Sequence, residues 1–140
     1  MSDAQKPAPL SKEELQQRLA QSAFIDFLNL TVLTADPEAD EVVMRAEMRP
    51  EFERLKGSGQ WHGGPIAAVI DTVGDYALVM LLGRPLPTVN FRVDYLRPAI
   101  GTALVVTAMV RRNGRLEDVS GGRHFQRVGD LRTVFGSPRL

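Results

Sequence analysis

The sequence predicts an α+β fold in which an antiparallel sheet packs on one long helix. Three observations support this prediction. A long apolar segment begins at Gly63 or Gly64 and runs to about Leu82, a pair of strands precedes it, and a run of antiparallel strands follows it. A sheet whose one face is covered by a helix is a two-layer α+β design.

Length and composition limit the class of protein. The 140 residues suggest one domain, with residues 1–10 as a flexible N-terminal lead and residues 11–140 as the folded unit. Seventeen basic residues balance 17 acidic residues, which gives no support for a nucleic acid or a membrane surface as a partner. The chain has no cysteine, which excludes disulfides and thiolate nucleophiles. With a polar N-terminus that lacks the apolar run of a signal peptide, this composition leads us to expect a cytoplasmic protein.

The elements before the long helix follow from local signals. Ser11 and Glu14 form a capping box, which predicts a helix over residues 12–21. The apolar segment 24–28 is expected to pack on the core. Residues 30–34 and 41–48 are predicted strands, and the turn formers at 36–40 indicate a hairpin.

The long helix is apolar on nearly all sides and ends at Gly83-Arg84-Pro85. Such a helix must be covered on most sides, by a sheet or by a partner subunit. It carries two carboxylates, Asp71 and Asp75, which argue against a membrane span. Strands are predicted after it, at residues 88–96, 102–112, 115–119, 124–128 and 131–135, with a hairpin turn at Asn113-Gly114.

The start of the long helix has the composition of an oxyanion site. Pro65 suits the first turn of a helix, and the glycines at 63 and 64 let another group approach the backbone. Free N–H groups at a helix start favour a developing negative charge. The alternative interpretation of the same residues is a helix start without chemistry.

Asp71 lies in an apolar stretch, where a carboxylate is costly to bury unless it is paired. It is interpreted either as a general base or nucleophile, or as a carboxylate satisfied by the backbone or by a hydroxyl such as that of Thr72. Asp75 lies one turn further on the same face, and two like charges this close raise the pKa of one carboxyl. We expect Asp75 to face solvent or a subunit interface.

Spacing along the helix predicts an assembly. Gly63 and Asp71 are about 12 Å apart along the axis at ~1.5 Å per residue. One carbonyl group cannot contact both residues of the same helix. If both act on one bond, they come from different subunits, which predicts an isologous dimer with two sites.

Two segments resemble a known family. Residues 62–72 (His-Gly-Gly-Pro-Ile-Ala-Ala-Val-Ile-Asp-Thr) resemble the signature of the hotdog-fold thioesterases, most closely the phenylacetic acid degradation type of acyl-CoA thioesterase. Residues 88–99, with their Tyr-Leu-Arg-Pro ending, resemble the strand that follows in that family. The resemblance implies the hotdog fold, a curved antiparallel sheet wrapped around one long central helix. It also implies a homodimer with a continuous sheet, often paired into a tetramer.

The resemblance also implies roles for the catalytic candidates. The Gly63 N–H would polarise the thioester carbonyl, and Asp71 of the other subunit would be the general base or nucleophile. Thr88 matches a Ser/Thr that positions the water in some members, and His62 would orient the loop or form a hydrogen bond near the site. Without the resemblance, His62 is interpreted as a loop histidine with no chemistry. Lys56 departs from the pattern, because many members carry Asn or Gln near this position.

The substrate-binding candidates are less specific. Gly64 adjoins the oxyanion site, and Asn90 lies in the second matched segment. Trp61 either lines the acyl pocket or packs in its loop, while Phe91 and Tyr95 are expected in the core. Basic residues flank the predicted 113–114 turn and would either meet phosphates of CoA or form a solvated hairpin: Arg111, Arg112 and Arg115.

The function predicted from these features is hydrolysis of an acyl-CoA thioester to a free acid and CoA. CoA is then part of the substrate, and no cofactor is expected. No metal is expected either, because the two histidines are not at ligand spacing. The alternative is a hotdog domain that binds acyl-CoA or a similar ligand without turnover. A dehydratase of the same fold is a third interpretation, which the pairing of His62 with Asp71 does not favour.

Overall fold

The structure is a computed structural model that describes residues 7–88 and 90–111, together with the backbone of residues 115–117, 124–126 and 131–132. The first helix, α1 (Lys12–Leu19), begins at the predicted capping box. Ser11 Oγ accepts the Glu14 N–H at 3.2 Å, and Glu14 Oε2 accepts the Ser11 N–H at 2.7 Å. Leu15 and Leu19 are buried, and the helix ends two residues before the predicted boundary.

The segment after α1 corrects one prediction. It forms a short helix, α2 (Ala23–Phe27), of which no residue is fully buried. Phe24 is 59% exposed and Phe27 38% exposed, so the expectation that the segment packs on the core is wrong for both rings. Helical geometry distributes neighbouring apolar residues around the axis, so that only one side faces the core. Ile25 packs against the core, and Leu28 is buried beyond the end of the helix.

The predicted hairpin is confirmed. β1 (Leu30–Asp36) and β2 (Glu41–Ala46) pair antiparallel, with a register shift between Val32 and Thr34. Asp36 closes the turn, because its Oδ1 accepts the N–H groups of residues 38 and 39 at 3.0 and 3.1 Å.

The sheet continues from β2 to strands that follow the long helix. β3 (Leu104–Met109) pairs with β2, and β6 (Leu131–Arg132) pairs with β3, giving the order β1-β2-β3-β6 with every pairing antiparallel. β4 (Arg115–Glu117) and β5 (His124–Gln126) form a separate antiparallel pair. The predicted turn at Asn113-Gly114 lies outside the described residues.

The long helix, α3 (Gly63–Leu82), lies against one face of this sheet. It ends at Gly83, which has a φ of 70° and donates its N–H to the Val79 carbonyl. Alternate residues of β2 and β3 are buried on the face toward the core: Val42, Met44, Ala46, Leu104, Val106 and Ala108. Length and composition alone would let α3 cross a membrane, but the core helix of a globular domain passes the same test, and 67% of its most apolar window is buried within the protein.

The return segment, which we define as residues 84–98, corrects a second prediction. Residues 88 and 90–96 form no strand, although their sequence alternates as a strand does. A strand needs a neighbour to pair with, and the described part of the chain supplies none to this segment. Its large apolar side chains are consequently exposed: Phe91 by 47%, Tyr95 by 53% and Leu96 by 85%. The expectation that Phe91 and Tyr95 lie in the core is wrong for a single copy of the chain.

Candidate active site

The start of α3 is held in place by the loop before it and the segment after it. The Trp61 N–H donates to the Ala99 carbonyl at 2.9 Å, and the His62 N–H donates to the Phe52 carbonyl at 2.8 Å. The Trp61 indole stacks on the Phe52 ring at 5.4 Å, and its Nε1–H donates to the Thr102 carbonyl at 2.9 Å. The helix therefore begins at a position that buried aromatic packing determines.

His62 is the N-cap of α3, and among the described residues the Gly63 N–H of the first turn has no acceptor. His62 Nδ1 accepts the Gly64 N–H at 2.9 Å, which requires the neutral tautomer with its proton on Nε2. The Ile66 N–H reaches the His62 carbonyl at 3.5 Å, and Pro65 has no N–H. The Gly63 N–H has no acceptor among residues 7–88 and 90–111. It is the donor that a bound carbonyl oxygen could use.

Tyr95 covers this glycine. Its hydroxyl donates to the Gly63 carbonyl at 2.9 Å, and a β-carbon placed on Gly63 would lie 3.4 Å from the tyrosine ring. The sequence alternation assigned Tyr95 to the core, and no local signal indicated a contact across 32 residues. Tyr95 is therefore a residue of the site that sequence reasoning missed.

A groove of about 360 Å³ opens at the start of α3. Trp61, Gly63 and Ile66 form part of its wall, together with Tyr95. Trp61 is only 3% exposed and packs in the core while bordering the groove, and its predicted role in lining an acyl pocket stays a prediction. Residues that sequence reasoning did not select add charge to the lining: Arg54 and Arg97.

Asp71 lies further along α3, where a hydroxyl from the return segment meets it. Thr88 Oγ1 donates to Asp71 Oδ1 at 2.7 Å. The Thr72 hydroxyl donates instead to the Ala68 carbonyl at 2.8 Å, so Thr72 is not the partner of Asp71. The structure thus brings together the two candidates Asp71 and Thr88, which are 17 residues apart in the chain.

Asp75, one turn after Asp71, is half-buried, so it does not face solvent freely in a single copy, and its predicted place at a subunit interface stays a prediction. The pKa of its carboxyl is raised to about 6, chiefly by burial and to a smaller extent by the neighbouring charge of Asp71, while a hydrogen bond from the Leu86 N–H at 3.3 Å opposes both effects. The apolar packing around α3 makes the charged form of this carboxyl costly.

The two halves of the candidate site do not meet within one chain. Gly63 and Asp71 both belong to α3, so the spacing of about 12 Å expected at ~1.5 Å per residue applies. Gly63 borders the groove at the helix start, and Asp71 is not part of that lining. A single copy therefore presents a donor and a carboxylate at two separate places.

The remaining candidates lie on the surface or beyond the described residues. Gly64, Asn90 and Arg111 are exposed, as is Lys56 in the loop before α3. Arg112 lies outside the described residues, and only the backbone of Arg115 is described, in β4. The residues described contain no cluster of three His, Cys, Asp or Glu side chains that could hold a metal ion.

Glu53 shapes the loop that carries Lys56, a role that sequence reasoning missed. Its two carboxylate oxygens accept the N–H groups of Gly57 at 2.7 Å and Gly59 at 2.9 Å. Both glycines have positive φ, 79° and 64°, which favours glycine at these positions. An acidic residue before a Gly-Ser-Gly loop is the signal that could have indicated this contact.

Comparison with known proteins places this geometry in a family. The sequence profile of the thioesterase superfamily matches residues 58–116, which include all of α3 and the return segment. A crystal structure of a thioesterase superfamily protein is 30% identical, with a TM-score of 0.67, and the alignment covers 74% of this chain and 78% of that one. A phenylacetic acid degradation-related protein from Ralstonia eutropha shares the fold at 23% identity and a TM-score of 0.61, over 76% of this chain and 90% of the other.

Two curated relatives are similar over a shorter span. A candidate esterase of Halobacterium salinarum is 31% identical over 105 residues, which are 69% of this chain and 66% of that protein. Acyl-coenzyme A thioesterase 13 of Mus musculus is 31% identical over 88 residues, 61% of this chain and 60% of the mouse protein. The alignments thus cover somewhat less than two thirds of each relative. Together with the fold and the helix-start geometry, these similarities show that the chain belongs to the thioesterase superfamily and has its hotdog fold.

Proposed function

We propose that this protein hydrolyses acyl-CoA thioesters to a free acid and CoA, at a site that two subunits build together. One observation carries the proposal: α3 offers at Gly63 an N–H that has no acceptor among residues 7–88 and 90–111, and at Asp71 a carboxylate that accepts a hydroxyl, and the two are too far apart to act on one bond within one chain. The mouse relative named as an acyl-coenzyme A thioesterase supports the choice of substrate class.

The first half of the site stabilises charge. The Gly63 N–H donates to the thioester carbonyl oxygen, and the positive end of the helix dipole favours the negative charge that develops there. His62 keeps the Gly64 N–H occupied, so that the donor at Gly63 is the one directed at the substrate. Tyr95 fixes the same peptide through the Gly63 carbonyl.

The second half activates water. Asp71 of the partner subunit removes a proton from a water molecule as the water oxygen attacks the carbonyl carbon. Collapse of the resulting tetrahedral intermediate breaks the C–S bond. The proton then passes to the leaving CoA thiolate. Thr88 donates to one oxygen of Asp71, which leaves the other oxygen for the water. In the alternative route Asp71 attacks directly, and water hydrolyses the resulting anhydride.

The dimer is proposed from the return segment. Its exposed Phe91 and Leu96, and the backbone of residues 90–96, which pairs with no strand in the described part of the chain, would be covered if the same segment of a second copy lay beside it. Two antiparallel α3 helices would then bring each Gly63 to the other's Asp71. Such dimers could pair again into a tetramer. The groove suits a ligand with an apolar acyl group and anionic phosphates, because Arg54 and Arg97 border its apolar walls.

A side-by-side assay tests the proposal. Wild type and Asp71→Asn are given acetyl-CoA, hexanoyl-CoA, benzoyl-CoA and phenylacetyl-CoA, and release of the CoA thiol is followed, with the oligomeric state measured by light scattering. We expect the wild type to hydrolyse at least one substrate and Asp71→Asn to lose about 10²- to 10⁴-fold in kcat while remaining a dimer. Binding of acyl-CoA without hydrolysis by the wild type would favour the non-catalytic alternative, and a monomer would refute the shared site.

A further inference from the structure

Two carboxylates of α3 bind the return segment at adjacent points. Asp71 and Asp75 are four residues apart and therefore lie on the same face of the helix. Asp71 accepts the Thr88 hydroxyl at 2.7 Å, and Asp75 accepts the Leu86 N–H at 3.3 Å. The two contacts are two residues apart on the return segment, so they attach it to α3 as a pair.

The sequence between these contacts is stiff. Leu86 lies between Pro85 and Pro87, whose rings fix their φ angles and which have no N–H. Proline also restricts the residue before it to extended conformations, which limits Leu86. The Leu86 N–H is therefore the one backbone donor in the Pro-Leu-Pro sequence, and Asp75 accepts it. Because the segment is rigid, fixing the position of Leu86 also fixes the position of Thr88.

Packing does not explain a carboxylate at position 75. Asp75 is half-buried, and the residues that follow it on α3, from Tyr76 to Leu81, are buried. An apolar side chain would fit this helix at lower cost, because a carboxylate in such surroundings must be desolvated beside a second one. Among the residues that the structure describes, Asp75 accepts one hydrogen bond from outside its own helix, that of the Leu86 N–H.

We propose that Asp75 is a positioning residue, which holds Leu86 and, through the rigid Pro-Leu-Pro sequence, places the Thr88 hydroxyl on Asp71. This inference rests on the proposed function, since it gives Asp75 a part in hydrolysis only if Asp71 and Thr88 act in it. Asp75 does not touch the substrate and acts through the geometry of Thr88.

The protonation of Asp75 provides a readout specific to this role. Within the described part of the chain, the neighbours of Asp75 on α3 are Asp71 and the Tyr76 phenol, and burial raises the pKa of that phenol while the charge of Arg18 in α1 opposes the rise. From the return segment, the Leu86 N–H donates to Asp75. The pKa of Asp75 is about 6, so the carboxylate that accepts the Leu86 N–H loses its charge as pH falls through this value. Its hydrogen bond then weakens, because bonds to ionised acceptors are the stronger ones.

The test compares four variants on the substrate that the wild type hydrolyses fastest: Asp75→Ala, Asp75→Asn, Thr88→Val and the double variant Asp75→Ala/Thr88→Val. We expect Thr88→Val and Asp75→Ala each to lower kcat about tenfold with little change in KM, and the double variant to be at most about twofold worse than either, because both remove the same positioned hydroxyl. Asp75→Asn keeps a neutral acceptor oxygen, as protonated Asp75 does, so its kcat should lie between those of the wild type and Asp75→Ala and lose the change near pH 6.

A second measurement does not depend on activity. Hydrogen exchange at the Leu86 amide should be at least about tenfold faster in Asp75→Ala, with the amides of α3 unchanged, because the acceptor of that N–H is gone. The inference would be overturned if Asp75→Ala kept the wild-type kcat and the wild-type exchange rate at Leu86. It would also be overturned if the double variant lost as much kcat as the two single variants combined. If Asp75→Ala does not fold, an unchanged pH profile in Asp75→Asn would overturn it. Full activity in Asp71→Asn would instead overturn the proposed function.

Discussion

The start of α3 and the return segment are held by different kinds of contact. At the start of α3, main-chain hydrogen bonds join Trp61 to Ala99 and His62 to Phe52, beneath stacked aromatic rings. The return segment is attached through side chains, by Asp75, by the Thr88 hydroxyl and by the Tyr95 hydroxyl. Its own apolar residues are largely exposed.

This difference shows how the work of building the site is divided. The proposed oxyanion donor at Gly63 depends on the hydrophobic core of one chain, and it is fixed whenever that core forms. The placement of Thr88 depends on polar contacts with α3 and, in the proposed dimer, on a second copy that covers the segment. We therefore expect removal of the Gly63 N–H to affect charge stabilisation alone, and changes near the return segment to affect geometry and stability together.

The largest expected effect comes from removing the Gly63 N–H. Gly63→Pro removes this donor at a position where proline is tolerated, because His62 before it is extended, with a φ of −72° and a ψ of 146°. We expect kcat to fall about 10²- to 10³-fold, which corresponds to ~3 to 4 kcal/mol. Gly63→Ala is the matched control, since it adds a β-carbon in ordinary contact with Tyr95 and keeps the N–H. Equal losses of kcat in the two variants would show that steric fit at position 63 matters and that the N–H donor does not.

A smaller effect concerns stability at Asp75. Its pKa is raised from 3.8 to about 6 in the folded chain, so the cost of the charged form is absent below pH ~4, grows between pH ~4 and 6, and is complete above pH ~6. Asp75→Asn should therefore raise the free energy of unfolding above pH ~6 by up to about 3 kcal/mol, with the gain vanishing near pH 4. Urea denaturation across this pH range measures it. A gain that is the same at every pH would contradict the assigned cause.

The smallest effect concerns the cap at His62. His62→Ala removes the acceptor for the Gly64 N–H and should lower the free energy of unfolding by about 1 kcal/mol. His62→Asn supplies another capping oxygen and should restore most of that loss. Chemical denaturation of the three proteins provides the measurement. Equal stability of wild type and His62→Ala would show that the cap contributes nothing to the fold.

Sequence reasoning succeeded where the determining contacts are local. The capping box at Ser11 and the hairpin turn at Asp36 depend on residues within four positions, and both are in the structure. The bounds of α3 follow from Gly83 and from the residues around His62. The hydrogen bond between Asp71 and Thr88 was not predicted, since hydrophobic periodicity cannot place a hydroxyl 17 residues away and the resemblance implied only separate roles for the two residues.

The failures have a common physical origin. The alternation of apolar and polar residues at 88–96 is typical of a strand with one buried face. One copy of the chain does not bury that face, so Phe91 and Tyr95 are exposed. Asp75 was expected to face solvent or a subunit interface, and its contact with Leu86 was missed because it depends on how the chain turns after α3. Each error concerns contacts made beyond the element that carries the residue.

The shared site is the central claim, and a mixed dimer tests it most directly. Gly63→Pro and Asp71→Asn chains with different affinity tags are co-expressed, and the heterodimer is purified through both tags. If each site takes Gly63 from one subunit and Asp71 from the other, one of the two sites is intact, and the heterodimer should hydrolyse acyl-CoA at about half the wild-type rate per dimer. Activity no higher than that of the two parent homodimers would contradict the account, because each chain would then carry a complete site of its own.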